Sequence, residues 1–381
     1  MKRQAIYALS GDPIHYGHID IVERASKIFD KVVVGIGVNL SKKYLFSLEE
    51  RLDLVRKALV SVPNVEVKSF QGLLVDYAAE NGIATVVKGI RGESDLDYEL
   101  MLHHVGESQR LGIDTFFIPA KQEMTHFSSS AVKALQIEQG LVHGYVPLNV
   151  KQALEEKMSG QHILGLTGEI GVGKSYVGKR FETLAKNKGL EAHNIELDSI
   201  SHQILGELKE ELYADTRDQI AAEFGECVRT REGIIDRKAL GEIVFHDSSK
   251  MNRLNQLMYT PLLVKLRREL YGKKGLIILN AALLAESKMT YLCNNNVVLV
   301  SAKEEIQARR LEQRDLSPDQ VLRRKESQYD TEEKASTLRK RIELDRHGKL
   351  WELDNSEGKE EIDETLCDVL NYFNLGGENE R

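Results

Sequence analysis

Apolar and polar positions alternate along the first 158 residues in a rhythm of short apolar runs and longer amphipathic stretches. Ala5 to Leu9 reads as a strand, and residues 17–29 place Val22, Ala25, Ile28 and Phe29 on one helical face. Val32 to Val38 is a continuous apolar strand, after which Ser47-Leu48-Glu49-Glu50 forms a capping box that opens a helix to Leu59. The pattern then predicts strands at 65–67, 85–88 and 115–118, with helices at 73–81, 95–109 and 129–139, the first and last stopped by Gly82 and Gly140. Five strands with intervening helices predict a doubly wound parallel α/β sheet, whose ligands bind at the carboxyl ends of the strands.

The same rhythm resumes after a helix over 150–158 and the polar break Ser159-Gly160-Gln161, so two domains are expected, over 1–158 and 162–375. Here His162 to Thr167 predicts a buried strand and 176–188 a helix that Gly189 ends. A second strand over 192–197 stops at Asp198, and helices at 199–212, 215–224, 237–245 and 261–271 form a block inserted before strands at 276–279 and 297–300. Helices at 304–313 and 319–328 follow, carrying Arg309, Arg310, Arg314, Arg323 and Arg324. A solvated helical face explains such residues, and so does an arginine-bearing lid over a phosphate site.

Composition narrows the class only slightly. With 41% hydrophobic and 29% charged residues among 381, the chain is an ordinary globular protein. Its 52 basic and 59 acidic residues give a net charge of -7, which argues against a nucleic-acid binder held by bulk electrostatics. Cys227, Cys293 and Cys367 are far apart, suggesting neither a disulfide framework nor a zinc site. Neither a signal peptide nor an apolar run of membrane-spanning length is read, so a cytoplasmic protein with no membrane partner is expected.

The chemistry lies in the loops. Gly168-Glu169-Ile170-Gly171-Val172-Gly173-Lys174-Ser175 follows a strand and opens a helix, the context a phosphate loop needs. Its backbone N–H groups and helix N-terminus suit phosphate oxygens, Lys174 the terminal phosphates, and Ser175 a Mg²⁺ ion. In the first domain Ser10-Gly11-Asp12-Pro13-Ile14-His15-Tyr16-Gly17-His18 leaves the first strand directly for the first helix. Two histidines there can donate to a triphosphate, with Gly17 letting it approach the backbone. Lys42 and Lys43, the Lys88-Gly89-Ile90-Arg91 stretch and Ser128-Ser129-Ser130 fall at later strand ends on the same predicted rim.

These motifs carry a resemblance. Residues 1 to about 157 resemble bacterial phosphopantetheine adenylyltransferase, of the His-x-Gly-His nucleotidyltransferase superfamily with a Rossmann-like fold. The shared stretches are Asp12 to His18, Ser41-Lys42-Lys43, Phe46 with Glu49-Glu50-Arg51, Gly89 with Arg91, Asp97-Tyr98-Glu99 and Ser128-Ser129-Ser130. The resemblance implies that His18 stabilises the pentavalent α-phosphate of ATP and that Lys42 neutralises the reacting phosphates. It further implies an ATP surround of Ser10, His15, Gly17, Gly89, Arg91, Glu99, Ser128, Ser129 and Ser130. Ser10, Lys42, Leu74 and Lys88 would face 4'-phosphopantetheine, and a homo-oligomer is implied. This chain departs at Ser10, Gly11 and Lys88, the last keeping the charge of the usual arginine without its two-pronged geometry.

Residues 162 to about 375 resemble dephospho-coenzyme A kinase, a P-loop kinase fold with a helical insertion and a lid. The matching segments are Leu166 to Ser175, Asp198 to His202, Leu283 to Glu286, Arg310 with Arg314 and Asp315, Gln328, and Asp354-Asn355 with Gly358. Implied are Asp198 as the base for the ribose 3'-hydroxyl of dephospho-coenzyme A, His202 beside that substrate, and Lys174, Arg310 and Arg314 around the phosphates. Gly168, Gly171, Val172, Gly173, Ser175, Tyr176 and Asn355 complete the implied ATP site, with Mg²⁺ as cofactor. Tyr176, Thr260, Ala282 and Glu196 depart from the kinase pattern. Three readings are therefore carried forward: an enzyme for the last two steps of coenzyme A synthesis, an adenylyltransferase with a degenerate nucleotide-binding kinase half, and a P-loop-gated interaction protein.

Overall fold

The computed structural model describes residues 3–39, 41–244, 247–313, 328–356 and 358–376, which divide into two compact units, Met1–Met158 and Ser159–Arg381. The first unit is built on β1 (Gln4–Leu9), β2 (Lys31–Gly37), β3 (Val65–Phe70), β4 (Thr85–Ile90) and β5 (Asp114–Pro119). Every pairing in this sheet is parallel, in the order β3-β2-β1-β4-β5. Side-chain alternation sorts the strands onto two cores. Ala5, Tyr7 and Leu9 join Val32, Val34, Ile36 and Val87 on one face, while Ile6, Val33 and Val86 meet Ala78 and Ile83 on the other. Burial on both faces explains why these strands read as unbroken apolar runs.

Helices at Tyr16–Ser26, Leu48–Ala58, Leu74–Glu80, Glu93–Glu107 and Ser129–Ile137 form within a few residues of the expected positions. The capping box is present: the Glu50 N–H donates to Ser47 Oγ at 3.2 Å, and the Ser47 N–H donates to the Glu50 carboxylate at 2.6 Å. Helix Glu93–Glu107 differs from the rest, since none of its residues is buried within the chain.

The second unit repeats the architecture with β6 (Gln161–Gly168), β7 (Ala192–Glu196), β8 (Gly275–Asn280), β9 (Asn296–Ser301) and β10 (Lys349–Asp354). The order is β10-β9-β6-β8-β7, again all parallel, with the phosphate-loop strand at the centre. One face carries a core of Leu164, Leu166, Phe181, Leu276, Val298 and Leu353. Between β7 and β8 stands the expected helical block, with its own apolar cluster around Ile220, Val228, Leu240 and Val244.

Three boundaries depart from the sequence reading. The helix expected from Pro261 is the second half of one helix, Ser248–Leu270, with Pro261 inside it. Proline removes one backbone donor there, yet Leu254, Leu257 and Met258 ahead of it and Leu262, Leu263 and Leu266 behind it continue one packed stripe. Asp198 is the second residue of helix Leu197–Gly206 rather than the last of the strand. Helix Thr331–Asp345, strand β10 and helix Glu360–Tyr372 have no counterpart in the pattern-based reading. The helix expected at 319–328 lies, but for Gln328, outside the described residues, as does Arg314.

Candidate active sites

The order in which strands are added to the first sheet reverses between β1 and β4, and the loops leaving those two strands supply most of the first site. Asp12, buried in the β1 loop, accepts from the backbone N–H groups of Leu45 and Phe46 at 3.0 and 2.9 Å and from Lys133 Nζ at 2.9 Å. Burial pushes its carboxyl up, but Lys133 and the two N–H groups outweigh that and hold it below the usual carboxylate range. Arg51 is buried beneath the same loop and donates to the carbonyls of Ser10 at 2.7 Å and Gly37 at 3.1 Å, tying the ends of β1 and β2 together.

On this base the two histidines stack, ring centroids 3.6 Å apart. The His15 N–H donates to His18 Nδ1 at 3.3 Å, so the neutral His18 ring carries its proton on Nε2. A Cβ at position 17 would lie 3.0 Å from the His15 ring, which is why glycine separates the pair. Burial and the neighbouring Arg91 lower the His15 pKa to about 4. His18 is likewise pushed well below the imidazole range, by burial first, then by His15 and Arg91.

From β4 and the helix after it come Lys88, Gly89, Arg91 and Glu99. Lys88 Nζ pairs with Glu99 at 2.7 Å, joining a residue expected at the phosphopantetheine side to one expected at ATP. Arg91 binds Asp95 through Nε at 2.6 Å and Nη2 at 2.9 Å, and reaches the Phe127 carbonyl with Nη1 at 3.2 Å. Ser128 caps its helix by accepting the Ala131 N–H at 3.1 Å, and Ser129 Oγ donates to the Pro13 carbonyl at 2.8 Å. Ser130 is exposed on the same turn, and Lys42 is exposed on the loop after β2. Leu74 instead packs on the smaller core beside Tyr77 and Ala78. The structure therefore gathers His15, His18, Lys88, Arg91, Glu99 and Ser129 around the β1 and β4 ends, with Leu74 half-buried against the smaller core.

In the second unit the phosphate loop wraps the end of β6. Gly173 has φ +92°, and a side chain there would collide with Asn355 Nδ2, so the loop admits only glycine. Lys174 Nζ folds back onto the carbonyls of Gly168 and Glu169, both at 2.9 Å. Ser175 and Tyr176 are exposed in the first turn of helix Lys174–Asn187. Arg310 donates to the carbonyls of Val172 at 2.9 Å and Asn355 at 2.8 Å, and Asn355 Nδ2 donates to the same Val172 carbonyl at 2.8 Å. Gly171, Gly173, Tyr176, Arg310 and Asn355 line a cavity of about 650 Å³ beside the loop.

Asp198 is solvent-accessible, yet the protein around it desolvates its carboxyl and pushes its pKa up. Lys174 and His202 oppose that rise and Glu196 adds to it, so all three groups act on Asp198. Tyr176, Arg310 and Asn355 thus meet at the cavity, while Lys174 and His202 act electrostatically on Asp198.

The sequence reading assigned no role to a buried brace behind the phosphate loop. Glu169 accepts from the Thr331 N–H at 2.8 Å and hydroxyl at 2.6 Å, and Gln307 Nε2 donates to the Ile170 carbonyl at 2.6 Å. Lys334, fully buried, donates to the Ala282 carbonyl at 2.8 Å and ion-pairs with Glu286. A signal existed: Lys334 stands four residues before Leu338 on a buried helical stripe, as Arg51 stands three before Leu54.

With this geometry in place, comparison with known proteins is decisive. A cytidylyltransferase-like family model matches residues 10–135, and a dephospho-CoA kinase family model matches residues 162–346. Phosphopantetheine adenylyltransferase of Clostridium novyi is 41% identical over 156 residues, 41% of this chain and 97% of that protein. The Haemophilus ducreyi enzyme of the same description is 38% identical over 161 residues, 42% of this chain and 100% of its own length. The chain belongs to the phosphopantetheine adenylyltransferase family. It continues that family's domain into a dephospho-CoA kinase domain, an order consistent with two successive steps of coenzyme A synthesis. A solved Thermus thermophilus structure is 28% identical, covers 55% of this chain and 96% of its own, and superposes with a TM-score of 0.42.

His15 and His18 of the adenylyltransferase site should both be neutral at physiological pH. Imidazole resonances followed by NMR should titrate with a midpoint near 4 for His15 and below the ordinary 6.5 for His18. A midpoint at or above 6.5 for His18 would contradict the burial argument.

Proposed function

We propose that the adenylyltransferase domain, residues 1–158, and the kinase domain, residues 162–375, are both active in one cytoplasmic chain. The observation that carries this reading is that each strand-end rim holds a set of groups matched to one reaction. In the first reaction a phosphate oxygen of 4'-phosphopantetheine attacks the α-phosphorus of ATP in line, and the bond to pyrophosphate breaks, giving dephospho-coenzyme A. Neutral His18, with Nδ1 held by the His15 N–H, offers Nε2–H to charge growing on the α-phosphate. Lys42, exposed on the loop after β2, with Arg91 and Ser129, supplies cationic and hydroxyl contacts to the triphosphate, and Lys88 to the acceptor.

In the second reaction the ribose 3'-hydroxyl of dephospho-coenzyme A attacks the γ-phosphorus of a second ATP, Asp198 takes the hydroxyl proton, and ADP leaves. Lys174 turns from the loop carbonyls to the phosphates, and the cavity lined by Tyr176, Arg310 and Asn355 receives the nucleotide. The Ser175 hydroxyl and Asp198 carboxylate are hard oxygen donors suited to Mg²⁺, which neutralises phosphate charge when bound. The exposed, unpaired thiols of Cys227 and Cys367 fit a reducing compartment.

The reading extends to assembly. Helix Glu93–Glu107 buries no residue of its own, yet leaves Tyr98 57%, Met101 50% and Val105 54% exposed. A helix with this many apolar side chains uncovered needs a partner, and a second copy of this chain supplies the same surface by symmetry.

Given phosphopantetheine, ATP and Mg²⁺, the parent chain should release coenzyme A, whereas Lys174→Ala should stop at dephospho-coenzyme A. His18→Ala should lose roughly 10²-fold or more in adenylyl transfer while still converting supplied dephospho-coenzyme A at the parent rate. Mass spectrometry of the products reads this directly. If the parent accumulates dephospho-coenzyme A alone, the kinase half is degenerate.

Asp198→Asn should keep ATP binding and cut phosphoryl transfer by roughly 10² to 10⁴-fold. Because the folded-state pKa of Asp198 is raised, the parent kinase rate should fall on acidification at a higher pH than an ordinary carboxylate sets. A pH–rate profile without that acid limb removes Asp198 as the base.

Met101→Glu should place charge on the uncovered helix face and shift the chain to monomer in sedimentation velocity, with its helical content unchanged. A parent chain that sediments as a monomer at micromolar concentration rules out assembly through this face.

A further inference from the structure

Outside both catalytic rims, helix Glu93–Glu107 ends in a second chemical constellation. The ligand-type atoms of His103, His104 and Glu107 all lie within 4.8 Å of one another. His104 Nδ1 stands 3.2 Å from Glu107 Oε2, and His103 Nε2 stands 3.7 Å from the same oxygen. Four ligands at about 2.0–2.1 Å around a tetrahedral ion are separated from each other by about 3.3–3.5 Å, so both distances already approximate edges of such a site.

We propose that His103, His104 and Glu107 form a site for a divalent transition-metal ion of the Zn²⁺ class. The other nitrogen of His103 makes the decisive contact. Its Nδ1 lies 3.0 Å from Thr115 Oγ1 on β5, which holds the ring from outside and leaves Nε2 directed at Glu107. Metal-ligating histidines are oriented in this way, by a hydrogen bond through the nitrogen that does not bind the ion. Helical spacing does the rest, because position 107 lies one turn beyond both 103 and 104. His103 is largely sheltered, with 17% of its side chain exposed, whereas His104 and Glu107 are open at 70% and 57%, so they can close the last gap at little cost.

Two imidazoles select Zn²⁺, Co²⁺, Ni²⁺ or Cu²⁺ over the oxygen-seeking Mg²⁺ of phosphate chemistry. Three protein ligands leave a fourth position for water or an outside donor. The site lies one helical turn beyond Glu99, which pairs with Lys88 at the substrate rim, so an ion there would stiffen the helix that presents Glu99.

The test is calorimetric titration of Zn²⁺ into the untagged full-length chain, with excess Mg²⁺ to occupy oxygen sites. One ion per chain is expected. His103→Gln and Glu107→Gln should each weaken it at least roughly tenfold, and Thr115→Val by roughly 10 to 100-fold through lost orientation of His103. Co²⁺ should give the intense visible absorption of a tetrahedral site in the parent, reduced in the same variants, while circular dichroism confirms that each variant is folded. Absence of a saturable Zn²⁺ site in the parent, or binding that survives both His103→Gln and Glu107→Gln, overturns the proposal.

Discussion

A parallel sheet sends the carboxyl end of every strand to the same edge, and both sites depend on that constraint. Each strand must be followed by a crossover, so its last residue passes at once into a loop and then a helix N-terminus. At β1 that passage carries His15 and His18, and at β6 it carries Lys174 and Ser175. Chain order then decides which loops become neighbours. In the first unit β1 and β4 lie side by side although some eighty residues separate them, which is how His18 and Arg91 come to influence each other electrostatically. In the second unit β6 is central, and the loop around its end is braced by residues from beyond residue 300.

Positioning by topology leaves the loops themselves to be fixed, and both units use buried charge for that task. Asp12 gathers two backbone N–H groups and Lys133, while Arg51 satisfies two strand-end carbonyls that would otherwise be buried without donors. Around the phosphate loop Thr331 and Gln307 hold its second and third residues, Glu169 and Ile170, and Lys334 with Glu286 secures the chain leaving β8. Breaking a buried pair of this kind costs about 3–5 kcal/mol, because the remaining charge has no water to turn to. None of these residues is itself an expected substrate contact, yet the loops that carry those contacts depend on them.

This division explains what could be read from the amino-acid sequence. The strands of both sheets buried on two faces are apolar runs, and the loops that follow them carry motifs dense in glycine, histidine, lysine and serine, so architecture and rim were both legible. Strand β10 was not. It is an edge strand in which only Trp351 and Leu353 are buried, flanked by charged residues, so neither a run nor a clean alternation announces it. The burial of Lys334 and Arg51 is not legible for a related cause, since a charged residue is ordinarily solvated and its burial depends on partners far along the chain. Pro261 misled in the other direction: local stereochemistry argued for a boundary, and continuous packing on both sides of it prevailed.

Burial also sets opposite shifts in the two sites from a single cause. Removing water disfavours whichever form is charged, so His15 and His18 move down and Asp198 moves up. For the histidines the result is a neutral donor whose tautomer is chosen by a backbone N–H rather than by solvent. An imidazolium so close to Arg91 and a second imidazole would repel the very groups that must converge on a triphosphate. For Asp198, the base in the proposed phosphoryl transfer, the raised pKa favours proton uptake, while Lys174 and His202 keep the shift in check. Without Lys174 and His202 the same enclosure would raise Asp198 further, and without the enclosure its carboxyl would return toward the ordinary range.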